Sequence, residues 1–285
     1  MDKLIINAAI TGMVAARKDN PNLPITPAEI EEDVRRCRDA GAAMVHLHAR
    51  DTDGAPTYRK EAYQEILRRV QRSCPDIILC VSCSGRAHKT FEERSDVLEC
   101  VNPAPEMASL TLGSMNFANV ESVNSPGMIK SLAARMLERG IVPEWEVFDL
   151  GMLEYSHYLI SRGIVRPPYY CNILLGSLCT LGASAFNLAA MVRALPPGVT
   201  WAAAGIGQFQ FQTNAMAITM GGHVRVGLED NLWYDSERTR PASNPDLIAR
   251  LVALARACGR EIASPEEARR MIGLPARADA MAASA

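Results

Sequence analysis

The chain has 285 residues, with 30 lysines and arginines against 32 aspartates and glutamates and a formal net charge of −2. That balance argues against a nucleic-acid or anionic-membrane partner, and no apolar run reaches the roughly 18–20 residues of a transmembrane helix. Met1-Asp2-Lys3-Leu4-Ile5-Ile6-Asn7 lacks the architecture of a signal peptide, so a cytoplasmic protein is expected.

In chain order, strand-like apolar runs fall at 4–11, 44–50, 77–84, 107–113, 142–149, 169–176, 200–207 and 223–230. Helical patterns lie between them at about 27–40, 58–72, 91–99, 121–139, 151–162, 184–194, 208–221 and 244–258, some opening on caps such as Thr26-Pro27-Ala28-Glu29. Eight strands each followed by a helix predict an α/β fold, a single (β/α)₈ barrel over 1–262. A short helix over 264–272 and an Ala-rich end, expected to be frayed, form an extension over 263–285. A doubly wound sheet is the alternative. Its phosphate fingerprint is incomplete: Gly205-Ile206-Gly207-Gln208-Phe209-Gln210 lacks a third glycine, and Gly205 and Gly207 stand only as candidate cofactor-binding positions.

The eight cysteines show no framework spacing and are expected to be reduced. Cys80 and Cys83 are three apart on a strand and face opposite sides, so joint metal binding is not expected.

The strands carry an unusual parity. Residues two apart share a face, so Asn7 and Thr11, His46 and His48, Ser82 and Ser84, Ser109 and Thr111, Glu144 and Glu146, Asn172, and Arg225 with Glu229 all fall opposite apolar neighbours. The apolar sets suit the helix-covered face, which leaves the polar sets pointing into a barrel normally filled by Val, Ile and Leu. Unpaired, each buried polar group would cost about 1–3 kcal/mol. A metal and a polar ligand would satisfy them, with Ser84, Thr111, Asn7 and Asn172 as candidate substrate contacts. Two imidazoles and a carboxylate form the first shell of a catalytic zinc site. Only the first strand separates the strands carrying His46, His48 and Glu229, so these are the expected metal ligands. His223, at the opposite end of its strand, reads as structural.

At this point the chain resembles the β-keto acid cleavage enzymes over about nine-tenths of its length. The resemblance rests on Asn7-Ala8-Ala9-Ile10-Thr11-Gly12, Leu23-Pro24-Ile25-Thr26-Pro27, His46-Leu47-His48-Ala49-Arg50-Asp51, Pro143-Glu144-Trp145-Glu146-Val147-Phe148-Asp149 and Gly221-Gly222-His223-Val224-Arg225-Val226-Gly227-Leu228-Glu229-Asp230-Asn231. It implies a Zn²⁺-dependent barrel that converts a β-keto acid and acetyl-CoA into acetoacetate and a new acyl-CoA thioester. It further implies Asp230 as base, Arg225 as its orienting partner and Ser82 as a contact to substrate or oxyanion. Glu144 or Glu146 would orient substrate or relay a proton. A homodimer or homotetramer is implied, with segment 262–275 as a candidate for packing on a neighbour.

One position departs from the family pattern. Members often carry glutamate or histidine shortly after the first Thr-Gly, whereas this chain reads Gly12-Met13-Val14-Ala15-Ala16-Arg17. Val14 cannot bind an ammonium group, so a substrate such as 3-keto-5-aminohexanoate is not expected. A less polar or anionic chain is, with Arg17 or Lys18 nearby. Rival readings are another zinc barrel enzyme (a metal hydrolase or class II aldolase) and a non-catalytic, metal-retaining binding barrel.

Overall fold

The computed structural model describes residues 1–117 and 120–275. Eight parallel strands close a barrel: β1 (Ile6–Ala9), β2 (Met44–Leu47), β3 (Ile78–Val81), β4 (Met107–Thr111), β5 (Val142–Val147), β6 (Tyr169–Leu175), β7 (Val199–Gly205) and β8 (His223–Val226). β1 pairs with both β8 and β2, in the register Asn7↔Arg225 and Ala9↔His46. Strands 2 and 8 are therefore one strand apart.

Around the barrel lie α1 (Pro27–Ala40), α2 (Lys60–Ser73), α3 (Phe91–Ser95), α4 (Pro126–Glu138), α5 (Leu150–Ser161), α6 (Ala185–Ala194), α7 (Gln210–Thr219) and α8 (Asn244–Ala257). The start of α1 has the capping box its sequence predicts, with Thr26 and Glu29 each bonding the other's backbone. Of the boundaries that differ from expectation, three stand out. The helix expected over 121–139 begins at Pro126, where Ser125 caps it, because Glu121–Ser122 instead pairs with Met115–Asn116. The strand expected over 44–50 splits, and Ala49–Arg50 leaves the barrel to pair with Pro56–Thr57. The last strand stops at Val226 rather than running to 230.

The outward faces behave as their parity requires. Ile6, Ala8, Val45, Leu47, Leu79, Val81, Leu110, Trp145, Ile173 and Val224 are buried beneath the helices in one continuous core. The barrel interior is layered rather than polar throughout. Its lower layer is Ile5, Met44, Ile78, Cys80, Met107, Tyr170 and Ala202. Asn7, His46 and Ser109 stand two residues further along their strands, hence one layer up on the same face. The polar pocket thus has an apolar floor. Cys80 belongs to the inner cluster and Cys83 to the outer one, as strand spacing requires.

A ninth helix, α9 (Pro265–Ile272), closes that floor. Ala268, Ile272 and Leu274 pack into the inner cluster, and Arg269 pairs with Glu106 while donating to the Asp76 and Ile77 carbonyls. Complete burial of an aliphatic side chain of this size contributes roughly 1.5–3 kcal/mol. The apolar face of segment 262–275 is therefore spent on its own barrel, not left for a neighbour. The Ala-rich end after Pro275 lies outside the described residues.

His223 is part of the lower structure, as its position in β8 suggested. Its Nδ1 accepts the Ile5 N–H at 3.1 Å, and Arg260 lies beside it. Burial, helped by the Arg260 charge, pulls its pKa down to about 3, so the ring stays neutral and keeps accepting. Among the described residues no helix is long and apolar enough to cross a membrane.

Candidate active site

Barrel sites form where the strands end at their carboxyl side. His46 sits in β2, and His48 directly follows it. Glu229 reaches them by a turn rather than by strand parity. The backbone leaves β8 at Gly227, where the Asp230 and Asn231 amides both donate to the Gly227 carbonyl. A side chain at Gly227 would place its Cβ 2.0 Å from the Ala9 carbonyl oxygen. Gly12, at φ +64°, leaves room for Glu229 itself: a Cβ there would lie 2.7 Å from the Glu229 Cγ. The glycines of the Thr-Gly and Val-Gly-Leu-Glu segments are thus what lets the carboxylate in.

His46 Nε2 and His48 Nε2 are 3.3 Å apart, His48 Nε2 is 3.2 Å from Glu229 Oε1, and His46 Nε2 is 3.8 Å from Glu229 Oε2. Ligand atoms at about 2.0–2.1 Å from a tetrahedral zinc ion would be about 3.3 Å from one another. The donor set fits such an ion. Among the described residues, Glu229 Oε2 is buried without a hydrogen-bond partner, and four carboxylates lie within 4.0 Å of the single guanidinium of Arg225. That excess of buried negative charge is what a divalent cation offsets.

The neighbouring groups hold these three side chains in place. Glu144, fully buried, accepts from His46 Nδ1 at 2.6 Å, from Asn7 Nδ2 at 2.7 Å and from the Cys80 thiol at 3.2 Å. Burial pushes its pKa up, but His46 and then Arg225 outweigh this and hold it down at about 2. An ionised carboxylate only accepts, so His46 Nδ1 carries the proton and Nε2 is free to ligate. Burial pulls His46 itself down, but Glu229 and Glu144 raise it to about 9, the mark of a position that attracts a cation. Burial lowers the pKa of His48, which favours the neutral, ligating ring.

Arg225 organises the other carboxylates. It donates to Asp230 from Nε at 3.1 Å, to Glu146 from Nη1 at 2.9 Å and to Glu229 from Nη2 at 2.7 Å. Burial and the adjacent Glu229 push Asp230 upward against the pull of Arg225. The structure thereby separates two glutamates that look alike in sequence. Glu144 lies beneath His46 and positions it. Glu146 accepts from Thr111 Oγ1 at 2.8 Å and faces the cavity.

The cavity has a volume of about 230 Å³. His48, Ser82, Ser84, Thr111, Glu146, Arg225, Glu229 and Asp230 line it, together with Val14, Arg86, Phe117 and Phe148. Several expected contacts lie elsewhere. Asn7 is below the cavity, bonded to Glu144. Asn172 is buried with neither side-chain atom hydrogen-bonded among the described residues. Arg17 turns outward to a surface pair with Glu29, drawn by the carboxylate that also caps α1. Gly205 packs against the following turn, where a Cβ would meet the Phe209 carbonyl oxygen at 2.1 Å. The Gly207 amide is taken by the Asp230 carbonyl. Neither glycine offers a free amide cradle for a phosphate.

Sequence reasoning missed Arg86, although a basic residue just past a strand's carboxyl end was the available signal. It also left Arg50 and Arg94 without roles. Arg50 donates to the Gly12 and Ala15 carbonyls, and Arg94 to Cys83, Val123 and Asn124, so each pins a loop of the rim.

Comparison with known proteins agrees with the barrel fold. The solved apo structure of ObcA superposes with a TM-score of 0.80 over 89% of this chain and 66% of that one, at 22% identity, a likeness of fold. A 3-keto-5-aminohexanoate cleavage enzyme of Fusobacterium nucleatum subsp. nucleatum is 42% identical over 275 residues, covering 96% of this chain and 99% of its own. A 3-oxoadipate:acetyl-CoA acetyltransferase of Cupriavidus necator is 35% identical, covering 95% of each. The beta-keto acid cleavage enzyme family model matches residues 3–274, a span that takes in the two histidines, the glycines that admit Glu229, and the helix closing the floor. With the His46, His48 and Glu229 trio, the Arg225 cluster and the barrel all inside that match, the chain belongs to the β-keto acid cleavage enzyme family.

Proposed function

We propose that this enzyme transfers the acetyl group of acetyl-CoA to a β-keto acid and cleaves the product, giving acetoacetate and a new acyl-CoA, with Zn²⁺ held by His46, His48 and Glu229. One observation carries the reading: His46, His48 and Glu229 converge on one point, and His48 and Glu229 line, together with an Arg225-held Asp230, one cavity at the carboxyl end of the barrel. When bound, the ion would supply Lewis acidity that acidifies the carbon between the ketone and carboxylate groups of a keto acid.

Asp230 takes the proton from the carbon between those two groups, and Arg225 fixes the orientation of the carboxylate that receives it. The carbanion attacks the acetyl carbonyl, and the carbon–sulfur bond breaks to release CoA thiolate. That thiolate attacks the ketone of the original acid. Cleavage of the adjoining carbon–carbon bond leaves the acyl thioester and the carbanion of acetoacetate, which takes back the proton held by Asp230. The Ser82 hydroxyl serves the oxyanion that forms on the way. Ser84 and Thr111, also on the cavity wall, contact the substrate.

A coupled assay for acetoacetate, run with acetyl-CoA and a panel of β-keto acids, tests this reading. Turnover of at least one member is expected. No acetoacetate from any of them with zinc-supplemented protein would sink it. Neither a hydrolase nor an aldolase reading has an observation in its favour. The described histidines beyond the pair lie apart: His88 against Tyr58, His157 exposed on a helix, and His223 in the floor.

The catalytic unit is the barrel over 1–262 with its extension over 263–285. A reducing, cytoplasmic setting accords with eight unpaired cysteines. Assembly as a homodimer or homotetramer is supported by apolar side chains left bare on the α5–α6 side, including Leu150, Tyr158, Leu178 and Phe186, the last 81% exposed. Light scattering should give a mass of two or four chains, reduced in Phe186→Glu. A wild-type monomer at micromolar concentration would contradict this.

A further inference from the structure

Arg86 lies on the loop after β3, immediately past Ser84 and Gly85. Gly85 is wedged where a Cβ would stand 2.6 Å from Arg94 Nη1 and 2.8 Å from the Val123 carbonyl oxygen. The backbone of this loop is therefore fixed just before Arg86 departs, and the side chain turns into the cavity wall. Its guanidinium lies over the Phe117 ring, with the central carbon 3.5 Å from the ring centroid.

Among the described residues, that guanidinium has no hydrogen-bond acceptor and no carboxylate within 4.0 Å, and its Nε is sealed from solvent. Arg86 is half-buried, and a charge shielded from water without a partner is costly. Phe117 stabilises only the face of the guanidinium. The N–H donors lie in its plane and find no acceptor among the described residues. Burial depresses the Arg86 pKa against the more distant pull of Glu229, Glu146 and Asp230. Those three carboxylates are already bonded by Arg225. Arg86 is thus a planar, two-pronged cation facing a ligand cavity with nothing among the described residues in its fork.

Its position says which end of a ligand it meets. The metal trio hangs from β2 and the turn after β8, whereas Arg86 and its Phe117 platform come from the loops after β3 and β4. Met115, Phe148 and Leu174 also line this cavity, an apolar wall suited to methylene groups. Val14 adds no charge to it. From this we infer that Arg86 receives a second carboxylate at the far end of the keto acid, so that the preferred substrate class is a β-keto diacid. The inference rests on the cleavage reading above. A bidentate arginine–carboxylate pair gives both charge and geometry.

The test compares β-keto acids of matched length ending in carboxylate, methyl or ammonium, with acetyl-CoA as co-substrate, on wild type, Arg86→Gln and Arg86→Lys. Wild type should favour the carboxylate-ended acid. In Arg86→Gln the ratio of kcat/KM for the carboxylate-ended over the methyl-ended acid should fall roughly 10²-fold, mostly through KM. Lysine should restore part of it. Calorimetric binding of the diacid without acetyl-CoA should weaken in step. A wild-type preference for the methyl or ammonium end, an unchanged ratio in Arg86→Gln, or a loss seen only in the KM for acetyl-CoA would each overturn the assignment. Turnover without the Arg86-dependent ratio refutes the anchor alone. Arg86-dependent diacid binding without turnover of any keto acid upholds the anchor and refutes the cleavage reading.

Discussion

Asp230→Asn should keep the metal and the fold yet lose about 10²–10⁴-fold in turnover, the usual effect of removing a general base. Asparagine matches aspartate in shape and leaves the ligand trio untouched, but its amide cannot take up a proton. Glu229→Gln should act differently, weakening metal affinity so that excess zinc restores part of the activity. Sequence alone suggests that Arg225→Ala would mimic the Asp230 change. The structure revises this, because Arg225 bonds Glu229 at 2.7 Å as well as Asp230 at 3.1 Å. Its loss should therefore loosen the metal and the base together. Metal content and turnover, measured side by side with exchange of the keto acid's α-hydrogen for deuterium, separate the three variants. If Asp230→Asn loses its zinc while Glu229→Gln keeps it, the two carboxylates have been assigned the wrong way round.

The pairing of the two histidines was legible in sequence because two-residue periodicity is a strong local constraint. His46 and His48 have to project together wherever the segment goes. The same rule reached Glu229 for a partly wrong reason. Parity placed it on the inward face of a strand that in fact ends at Val226, and a turn built on Gly227 delivers it instead. Turn geometry depends on close backbone contacts, here between Gly227 and Ala9, two segments separated by most of the chain. Nothing near residue 227 announces them.

Charged side chains on loops were the least legible part. Arg17 and Arg86 both follow a strand's carboxyl end and look equivalent in sequence. The first is drawn out by the cap carboxylate of Glu29, while the second is turned inward over Phe117. Which way each turns depends on a partner that the local sequence does not identify. Asn7, Asn172 and the floor of the barrel make a related point. Parity says which face a residue takes, but not its depth in the barrel, and depth decides whether it meets substrate or the layer beneath.

His46→Ala or His48→Ala should remove the metal and bring activity to background without unfolding the barrel, whose core is carried by the outward faces of the strands and by the apolar floor. Purified wild type should carry about one divalent transition ion per chain, zinc by the geometry and nitrogen–oxygen donors of the trio. Glu144 provides the sharper test, since it touches His46 and lies beneath the cavity rather than on its wall. Glu144→Gln removes the charge that keeps the proton on His46 Nδ1, and should lower metal affinity about 10–100-fold, as loss of such an orienting partner does. Its turnover at saturating zinc should recover further than that of either histidine variant, because both ring ligands are still there. Elemental analysis and zinc titration of the three variants read this directly. Wild type free of metal and unresponsive to added zinc would remove the trio from the chemistry. Glu144→Gln with wild-type zinc affinity would instead show that packing alone fixes the His46 ring, with no help from the buried carboxylate.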